Sequence, residues 1–308
     1  PRSLDILGPS GVSERVLREG VELEKISLYR GKSEALSFSL KGAHPKSDFV
    51  LALAQDRTED ALHDAFVGLG GHVKYATELK SLTQNKNRVV VTTSGGTETE
   101  YDYVIGADGI QSVTRESLGI DFVGYDLPET WSIADVDSAD WQNYDRFTMC
   151  LLPKGVMAVV APLERERFRV ISNTEDALKT LPLKMTVKNI RRQGTFRISI
   201  RQVPEYSLGR VFLAGDAAHC HSPAGGRGMN LGIADAAELA TRFENGTLEG
   251  YSESRHADGK ETIARSEQIR KLVTTNNPIT RAALVIALSV INNFSPIKKQ
   301  LAKQFLGD

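Results

Sequence analysis

The first third of the chain combines short apolar segments with an amphipathic helix. After a first helical stretch, alternation and β-branched content predict strands at 35–40, 49–53, 72–76, 88–93 and 103–106. Asp56 and Glu59 have the spacing of a capping box, which predicts the start of a helix. Gly70 and Gly71 are expected to end that helix. The pattern is typical of a mixed α/β region.

The middle of the chain has a different pattern, of paired strands joined by tight turns. From Trp131 to about Val203, apolar-rich strands are separated by turn sequences such as 153–155 and 164–166. Along 195–203 apolar and polar side chains alternate, so one face of that strand is expected to be buried and the other solvated. We predict an antiparallel β-sheet here.

The last third returns to the α/β pattern and ends in helices. A strand at 210–214 leads into a glycine-rich turn and a helix to about Phe243, and a helical pattern continues to residue 308. This order predicts an α/β (α+β) fold, with a sheet inserted into a Rossmann-like nucleotide-binding domain. The predicted parts are the nucleotide-binding domain at 1–125 and 204–250, the inserted β-sheet domain at 126–203, and C-terminal helices at 251–308.

Composition and charge narrow the classes of function. The 308 residues include 38 Lys and Arg against 39 Asp and Glu, for a formal net charge of -1 and no long basic run, so no nucleic-acid partner is expected. Cys150 and Cys220 form no C-x-x-C pair, which fits a reducing, cytoplasmic setting. No apolar run approaches the roughly 18 residues of a spanning helix, so a soluble protein is expected.

The strongest chemical signal lies in residues 210–230. There an apolar strand delivers Asp216 to a strand end, where its carboxylate can accept hydrogen bonds from sugar-like hydroxyls. Gly225, Gly226 and Gly228 then remove side chains where a helix begins, so that a planar ligand can approach backbone N–H groups. The positive end of the helix would favour a group that becomes anionic on reduction.

This segment resembles the G-D-A-A-H-x-x-x-P-x-G-G-x-G-M-N motif of the para-hydroxybenzoate hydroxylase-like flavoprotein monooxygenases. The resemblance implies that Asp216 binds the ribityl chain of FAD and that Pro223 lies beside the isoalloxazine. It also implies that 226–230 offer backbone to the pyrimidine edge of the flavin. The cofactor-binding residues that this motif predicts are Gly215, Asp216, Pro223, Gly225, Gly226, Gly228, Met229 and Asn230.

A second motif, at 103–115, resembles the D-G-x-x-S-x-V-R pattern of the same family. A strand ends at Asp108, Gly109 permits a turn, and Arg115 on the following helix is expected to bridge back to acidic groups. Thr114 stands where the pattern has valine. The resemblance implies that Asp108 and Gly109 lie near the FAD diphosphate and, in some members, near the nicotinamide cofactor.

Three further residues are weaker candidates. Gln55 follows a strand as in the family's strand-Gln-helix segment, where the glutamine approaches the flavin, although it also fits an ordinary polar turn. His219 and His221 are spaced by one, but no carboxylate or cysteine set completes a metal site, and none is predicted. His221, like Pro223, is a candidate to line the substrate side of the flavin, with simple packing as the alternative.

The resemblance implies a hydroxylase. NAD(P)H would reduce FAD, O2 would add to it, and a flavin C4a-hydroperoxide would pass hydroxyl to an aromatic or polyketide-like small molecule. A flavin-dependent reductase of isoprenoid type stays open as an alternative. A halogenase is disfavoured because its paired tryptophans are absent, since Trp131 and Trp141 stand apart.

Another open alternative is a non-catalytic partial chain that cannot hold FAD. It is motivated by the family's opening G-x-G-x-x-G segment, which the given sequence lacks, and we expect that segment to precede this sequence. The protein is expected to be a monomer or homodimer. The apolar helix at 279–291 is expected to cover the core or form a dimer contact, with membrane-surface contact as the less favoured alternative.

Overall fold

The computed structural model describes residues 2–223, 226 and 228–306. The chain divides into two compact units. Unit 1 comprises residues 1–71, 128–197 and 271–308, and unit 2 comprises 72–127 and 198–270.

Short helices and strands alternate in the first part of the chain. In chain order they are α1 (Arg2–Leu7), α2 (Val12–Glu19), β1 (Val21–Leu23), β2 (Lys25–Arg30), β3 (Ser33–Ser39), β4 (Val50–Ala52), α3 (Gln55–Gly68), β5 (Leu79–Gln84), β6 (Val89–Thr93), β7 (Glu98–Tyr101), β8 (Val104–Gly106) and α4 (Val113–Ser117).

Long strands come next, and the chain ends in helices. These elements are β9 (Val123–Asp137), β10 (Arg146–Leu151), β11 (Met157–Glu164), β12 (Arg167–Ser172), α5 (Ala177–Thr180), β13 (Asn189–Gln202), β14 (Ser207–Leu208), β15 (Val211–Leu213), β16 (His219–Cys220), α6 (Gly228–Asn245), α7 (Tyr251–Val273), α8 (Pro278–Asn293) and α9 (Ser295–Leu306).

The main sheet of unit 1 has its strands in the order β13-β9-β12-β11-β10-β2-β3. β9 pairs with β12, β12 with β11, and β11 with β10, all antiparallel. This confirms the antiparallel sheet predicted for the middle of the chain. β2 pairs in parallel with β10 and antiparallel with β3. Strands from the first part of the chain therefore extend the sheet that the middle of the chain forms.

One face of this sheet is buried under α5 and the segment that follows it. Val136, Val160 and Phe168 form a core there with Trp141, and apolar side chains between 178 and 187 pack against it. A smaller core holds α2 against α3 through Val12, Val16 and Ala61. Removal of these apolar side chains from water supplies the main driving force for forming each layer.

Unit 2 is built around a parallel strand pair. β8 pairs with β15, with Gly106 opposite Leu213, and β14 pairs on the other side of β15. A core that includes Tyr206, Phe212, Leu239 and Tyr251 packs these strands with α6 and α7. Because β8 and β15 run in the same direction, the residues that follow them lie at one edge, where α/β proteins commonly bind ligands.

Two predicted features of the first third are wrong. Residues 72–76 form no strand, since Ala76 has a left-handed φ of 54° and the side chains of Val73 and Tyr75 are exposed. The capping box is also absent, because α3 begins at Gln55 behind Ala54, which makes no side-chain cap. The Asp56 carboxylate instead accepts a hydrogen bond from Arg167 at 3.2 Å.

The C-terminal helices of unit 1 are tied to the sheet. Arg281 of α8 donates to the carbonyl oxygens of Leu152 at 2.5 Å and Thr275 at 3.3 Å. Within the described part of the chain, no single helix meets the length and hydropathy expected of a membrane span. The pair α8 and α9 meets them jointly, with a bend of 108° between the two helices.

Candidate functional site

Both glycine-containing motifs lie at the carboxyl edge of β8 and β15. The N–H of Ala214 donates to the Gly106 carbonyl at 3.0 Å, so the two strand ends are held together up to the turns that follow. Gly106 has to be a glycine, because a Cβ there would lie 2.6 Å from the Cβ of Thr114. α4 can therefore pack directly against the end of β8.

The Asp108 carboxylate organises the turn after β8. Its Oδ1 accepts a hydrogen bond from Ser112 Oγ at 2.5 Å, and its Oδ2 accepts from the backbone N and the hydroxyl of Thr114 at 2.9 and 3.0 Å. Burial raises the pKa of Asp108, but these hydrogen bonds outweigh it and hold the pKa below its usual value. The side chain is thus engaged with its own turn, and its predicted contact near the diphosphate stays a prediction.

Arg115 joins the two turns. Its guanidinium donates to the carbonyl oxygens of Ile110 at 2.8 Å and Ala217 at 3.0 Å, and it lies 4.1 Å from the centre of the Phe122 ring. Burial lowers the pKa of Arg115. The prediction that Arg115 bridges to acidic groups is therefore wrong, because its guanidinium donates to backbone carbonyl oxygens.

Asp216 differs from Asp108 in its surroundings. It lies in a 3-10 turn, Gly215–Ala217, that begins directly after Ala214, and its side chain is exposed. Among the residues that the structure describes, none donates a hydrogen bond to the Asp216 carboxylate. That carboxylate is available to the hydroxyl groups of a ligand.

The backbone beside these two acids is open. Gly109 and Gly215 have left-handed φ values of 80° and 59°, and a Cβ at either position would meet no atom within 4 Å. Space therefore lies over both turns, where a ligand can approach the main chain. An open backbone beside an unengaged carboxylate fits a ligand that carries hydroxyl groups, such as the ribityl chain of FAD.

The segment from His221 to Asn230 follows the turn at Gly215–Ala217 and leads into α6. The Gly226 N–H donates to the Pro223 carbonyl at 2.9 Å, and the Nδ1–H of the partly exposed His221 donates to the Ser222 carbonyl at 2.8 Å. α6 begins at Gly228, and the side chains of Met229 and Asn230 on its first turn are exposed. Of the residues predicted here, Gly225 lies outside the described residues.

Gln55 belongs to unit 1. It is the first residue of α3, its side chain is exposed, and its amide donates to Glu59 at 3.3 Å. The other described cofactor-site candidates belong to unit 2, around the carboxyl edge of β8 and β15.

Unit 1 contains a cavity of its own, of about 340 Å³, next to α8. Leu151, Val273, Leu284 and Leu288 supply apolar walls, while Arg30 is one of the polar residues lining it. The volume is within the range that holds a small molecule. None of the predicted cofactor residues lines this cavity.

The support behind the Asp216 turn was not predicted from the sequence. Asp235 on α6 is fully buried, accepts a hydrogen bond from the Gly215 N–H at 2.9 Å and pairs with Arg255 at 2.7 Å. A signal was present, because Asp235 follows Ala234 on the helix face that also carries the buried Leu231 and Leu239. A carboxylate on an apolar helix face predicts a buried partner.

Metal ligands do not gather in the part of the chain that the structure describes. No group of three or more His, Cys, Asp or Glu side chains there could hold a metal ion. The His219 Nε2–H donates to Asp235 at 2.6 Å, so this histidine contributes to the buried support of the turn.

Comparison with known sequences identifies a family. The FAD binding domain family matches residues 1–182 and 174–266, which is more than half of the chain. A rifampicin monooxygenase of Streptomyces venezuelae is 30% identical over 319 residues, covering 95% of this chain and 66% of that protein. A pentachlorophenol 4-monooxygenase of Sphingobium chlorophenolicum is 32% identical over 268 residues, covering 79% and 49%. The chain spans about two thirds of the length of the first of these relatives and about half of the second.

Comparison with solved structures confirms the fold. A p-nitrophenol 4-monooxygenase from Pseudomonas putida superposes with a TM-score of 0.87 and 20% identity, over 98% of this chain and 85% of that chain. The predicted α/β architecture with an inserted sheet is therefore correct. From the family match and the two motifs on the edge of β8 and β15, we conclude that the chain belongs to the para-hydroxybenzoate hydroxylase-like family of FAD-dependent monooxygenases.

Proposed function

We propose that this protein holds FAD and is an NAD(P)H- and O2-dependent monooxygenase of an aromatic or polyketide-like small molecule. The observation that carries the proposal is the exposed Asp216 carboxylate next to the open backbone of Gly215, at the same strand edge as the open turn at Gly109. An aspartate at the end of a parallel strand is a common partner of ligand hydroxyl groups. The names of the relatives support the class of reaction.

When bound, FAD supplies the redox chemistry, since it takes two electrons from NAD(P)H and activates O2, one atom of which enters the substrate while the other leaves as water. The tasks of this chain are to bind and to orient. Asp216 would accept hydrogen bonds from ribityl hydroxyls, and Pro223 would pack beside the ring system. The first N–H groups of α6, an 18-residue helix that begins at Gly228, would present the positive end of the helix dipole to negative charge on the reduced flavin.

The substrate is proposed to bind against the sheet that includes β9 to β13. This placement follows from the order of the predicted domains, 126–203 between two parts of the cofactor domain. His221 is the candidate for a substrate-side group.

The first test is the visible absorption spectrum of the purified full-length protein, with chromatography of any released flavin. A bound oxidised-flavin spectrum and released FAD are expected. Phenolic compounds are then screened for stimulated NADH and NADPH oxidation, with O2 consumption and hydroxylated product measured together. A protein that neither carries nor takes up FAD would overturn the proposal and favour a non-catalytic role. Substrate reduction without O2 consumption would favour a reductase.

A further inference from the structure

The carboxylate of Asp235 accepts three hydrogen bonds inside unit 2. Its Oδ2 accepts from the Gly215 N–H at 2.9 Å and from His219 Nε2 at 2.6 Å, while its Oδ1 accepts from Arg255 Nε at 2.7 Å. Asp235 is 0% exposed and His219 and Arg255 are each 1% exposed, so water replaces none of these contacts. The group is a buried, three-partner acceptor.

A buried carboxylate is stable only if its charge is paired. Arg255 supplies the opposite charge, and although burial lowers the pKa of Arg255, its contacts with Asp235 and Asp258 raise it by more. His219 donates a further hydrogen bond to Asp235 through its Nε2–H. Arg255 Nε thus contacts Oδ1, and Oδ2 accepts the hydrogen bonds from His219 and from the Gly215 N–H.

That backbone contact connects the core to the candidate cofactor residue. Gly215 precedes Asp216 and has a left-handed φ, and a Cβ placed at Gly232 of α6 would lie 3.5 Å from its Cα. The turn is therefore held from α6 at close range. Because the Asp216 side chain is exposed and receives no hydrogen bond from the described residues, the direction of its carboxylate depends on this backbone.

We propose that Asp235 is a positioning residue for the cofactor. Held by Arg255 and His219, it fixes the Gly215 N–H and so sets the direction in which Asp216 presents its carboxylate to the ribityl hydroxyls. This inference rests on the proposed function, because it takes FAD as the ligand of Asp216. Asp235 itself touches no ligand.

The test compares Asp235→Asn with a matched control, Glu267→Gln. Asparagine has nearly the volume of aspartate but only one side-chain oxygen that can accept hydrogen bonds. Its NH2 group would face at least one of the N–H donors that now bind Asp235. Glu267 is also buried in unit 2, where it pairs with Arg270 at 2.8 Å and accepts from Tyr125 at 3.3 Å. Both variants remove one charge from a buried pair, so both are expected to lower the Tm, but Asp235 alone of these two acids contacts the turn.

Two measurements separate positioning from stability. For Asp235→Asn we expect the Kd for FAD, titrated by flavin fluorescence, to rise about 10-fold, as for loss of a hydrogen bond to a charged group. We also expect faster amide hydrogen exchange in the apoprotein peptide that covers 213–218. Glu267→Gln is expected to keep the FAD Kd within about 2-fold and to leave that peptide unchanged.

The outcomes are distinct. Wild-type FAD affinity and wild-type exchange at 213–218 in a folded Asp235→Asn variant overturn the inference and leave Asp235 as a core ion pair. If the wild type takes up no FAD, the proposed function fails, whereas exchange in the apoprotein still decides whether Asp235 holds the turn. If Asp235→Asn does not fold, Asp235→Glu keeps the charge and shifts the carboxylate by one methylene. Unchanged FAD affinity in a folded Asp235→Glu variant would also overturn the inference.

Discussion

The Ser112 hydroxyl donates a hydrogen bond to Asp108 at 2.5 Å and accepts one from the Arg115 N–H at 2.9 Å. Ser112 is fully buried, so a single hydroxyl joins the acid of the turn to the first turn of α4. The Asp216 carboxylate, at the same strand edge, receives no such support from the described residues. Asp108 and Asp216 occupy similar places in their two sequence motifs, but they differ in the structure. Asp108 holds its own turn together, whereas Asp216 is available to a ligand.

Asp216→Ala is expected to weaken FAD binding by about 10-fold or more, because hydrogen bonds from the ligand to a charged group are lost. The Tm of the apoprotein is expected to change little, since the side chain is exposed. Fluorescence titration with FAD and thermal unfolding of the apoprotein measure the two effects. Asp121→Ala, another exposed acid of unit 2, is the control and should leave both unchanged. Equal FAD affinity in both variants would remove Asp216 from the site.

Ser112→Ala is expected to destabilise unit 2 by about 1 to 2 kcal/mol, because the hydroxyl is the N-cap of α4. Urea unfolding at neutral pH measures the free energy of unfolding. Ser117→Ala makes the same substitution at an exposed position of the same helix and should cost less than about 0.5 kcal/mol. A loss of the same size in both variants would show that the cap is unimportant.

Asp140→Asn is expected to give a pH-dependent loss of stability. Hydrogen bonds from the Thr186 hydroxyl and N–H and from Ser138 lower the pKa of Asp140 to about 2. Because the pKa of Asp140 is lower in the folded state than its unfolded-state value of about 3.9, ionised Asp140 stabilises the folded protein at pH values above about 3.9. This stabilisation is lost as the pH falls through the pKa of the folded state.

The Tm difference between wild type and Asp140→Asn should therefore be constant above about pH 5 and fall by about half near pH 3. Calorimetry between pH 7 and pH 3 measures it. Glu175→Gln, at an exposed acid of unit 1, is the control for general charge effects. A difference that does not change with pH would refute ionisation of Asp140 as the cause.

Cys150 and Cys220 are expected to resist thiol reagents while the protein is folded. Burial raises the pKa of each thiol to about 12, with a smaller contribution from Asp216 at Cys220. At pH 8 about one thiol in ten thousand is then ionised, and only the thiolate reacts. Titration with a chromogenic disulfide should show no rapid phase in native buffer and 2 thiols per chain in denaturant. A rapid native phase would mean that a thiol is accessible.

The sequence predicted the turn after β15 well because its information is local. A strand, an acid, spaced glycines and a helix follow one another, and the structure has β15 at Val211–Leu213 and α6 at Gly228–Asn245 where a strand at 210–214 and a helix to about Phe243 were predicted. Asp235 was not predicted, because its partners Arg255 and Gly215 are about 20 residues away on either side. The apolar face of α6 indicates that Asp235 has a buried partner, but a pattern along the chain does not say which residues those partners are.

Long-range pairing also explains the errors in the first third. No strand was predicted at 25–30, where β2 lies, because its partner β10 is far along the chain and its own six residues include charged ends. The β-branched and aromatic residues between 72 and 76 favour a strand locally, but no strand of the described chain pairs with them. Strand formation depends on a partner, which sequence propensity does not supply.

The parallel pairing of Lys25 in β2 with Arg146 in β10 has a consequence for synthesis on the ribosome. About 120 residues separate the two, so at roughly 5 to 20 residues per second the partner strand emerges about 6 to 24 seconds after β2. Throughout that interval β2 can pair only with β3, and Ile26 and Leu28 lack the neighbouring strand that later covers this edge. The nascent chain therefore exposes an apolar strand edge for seconds, a target for chaperones and a site for aggregation when synthesis outpaces them.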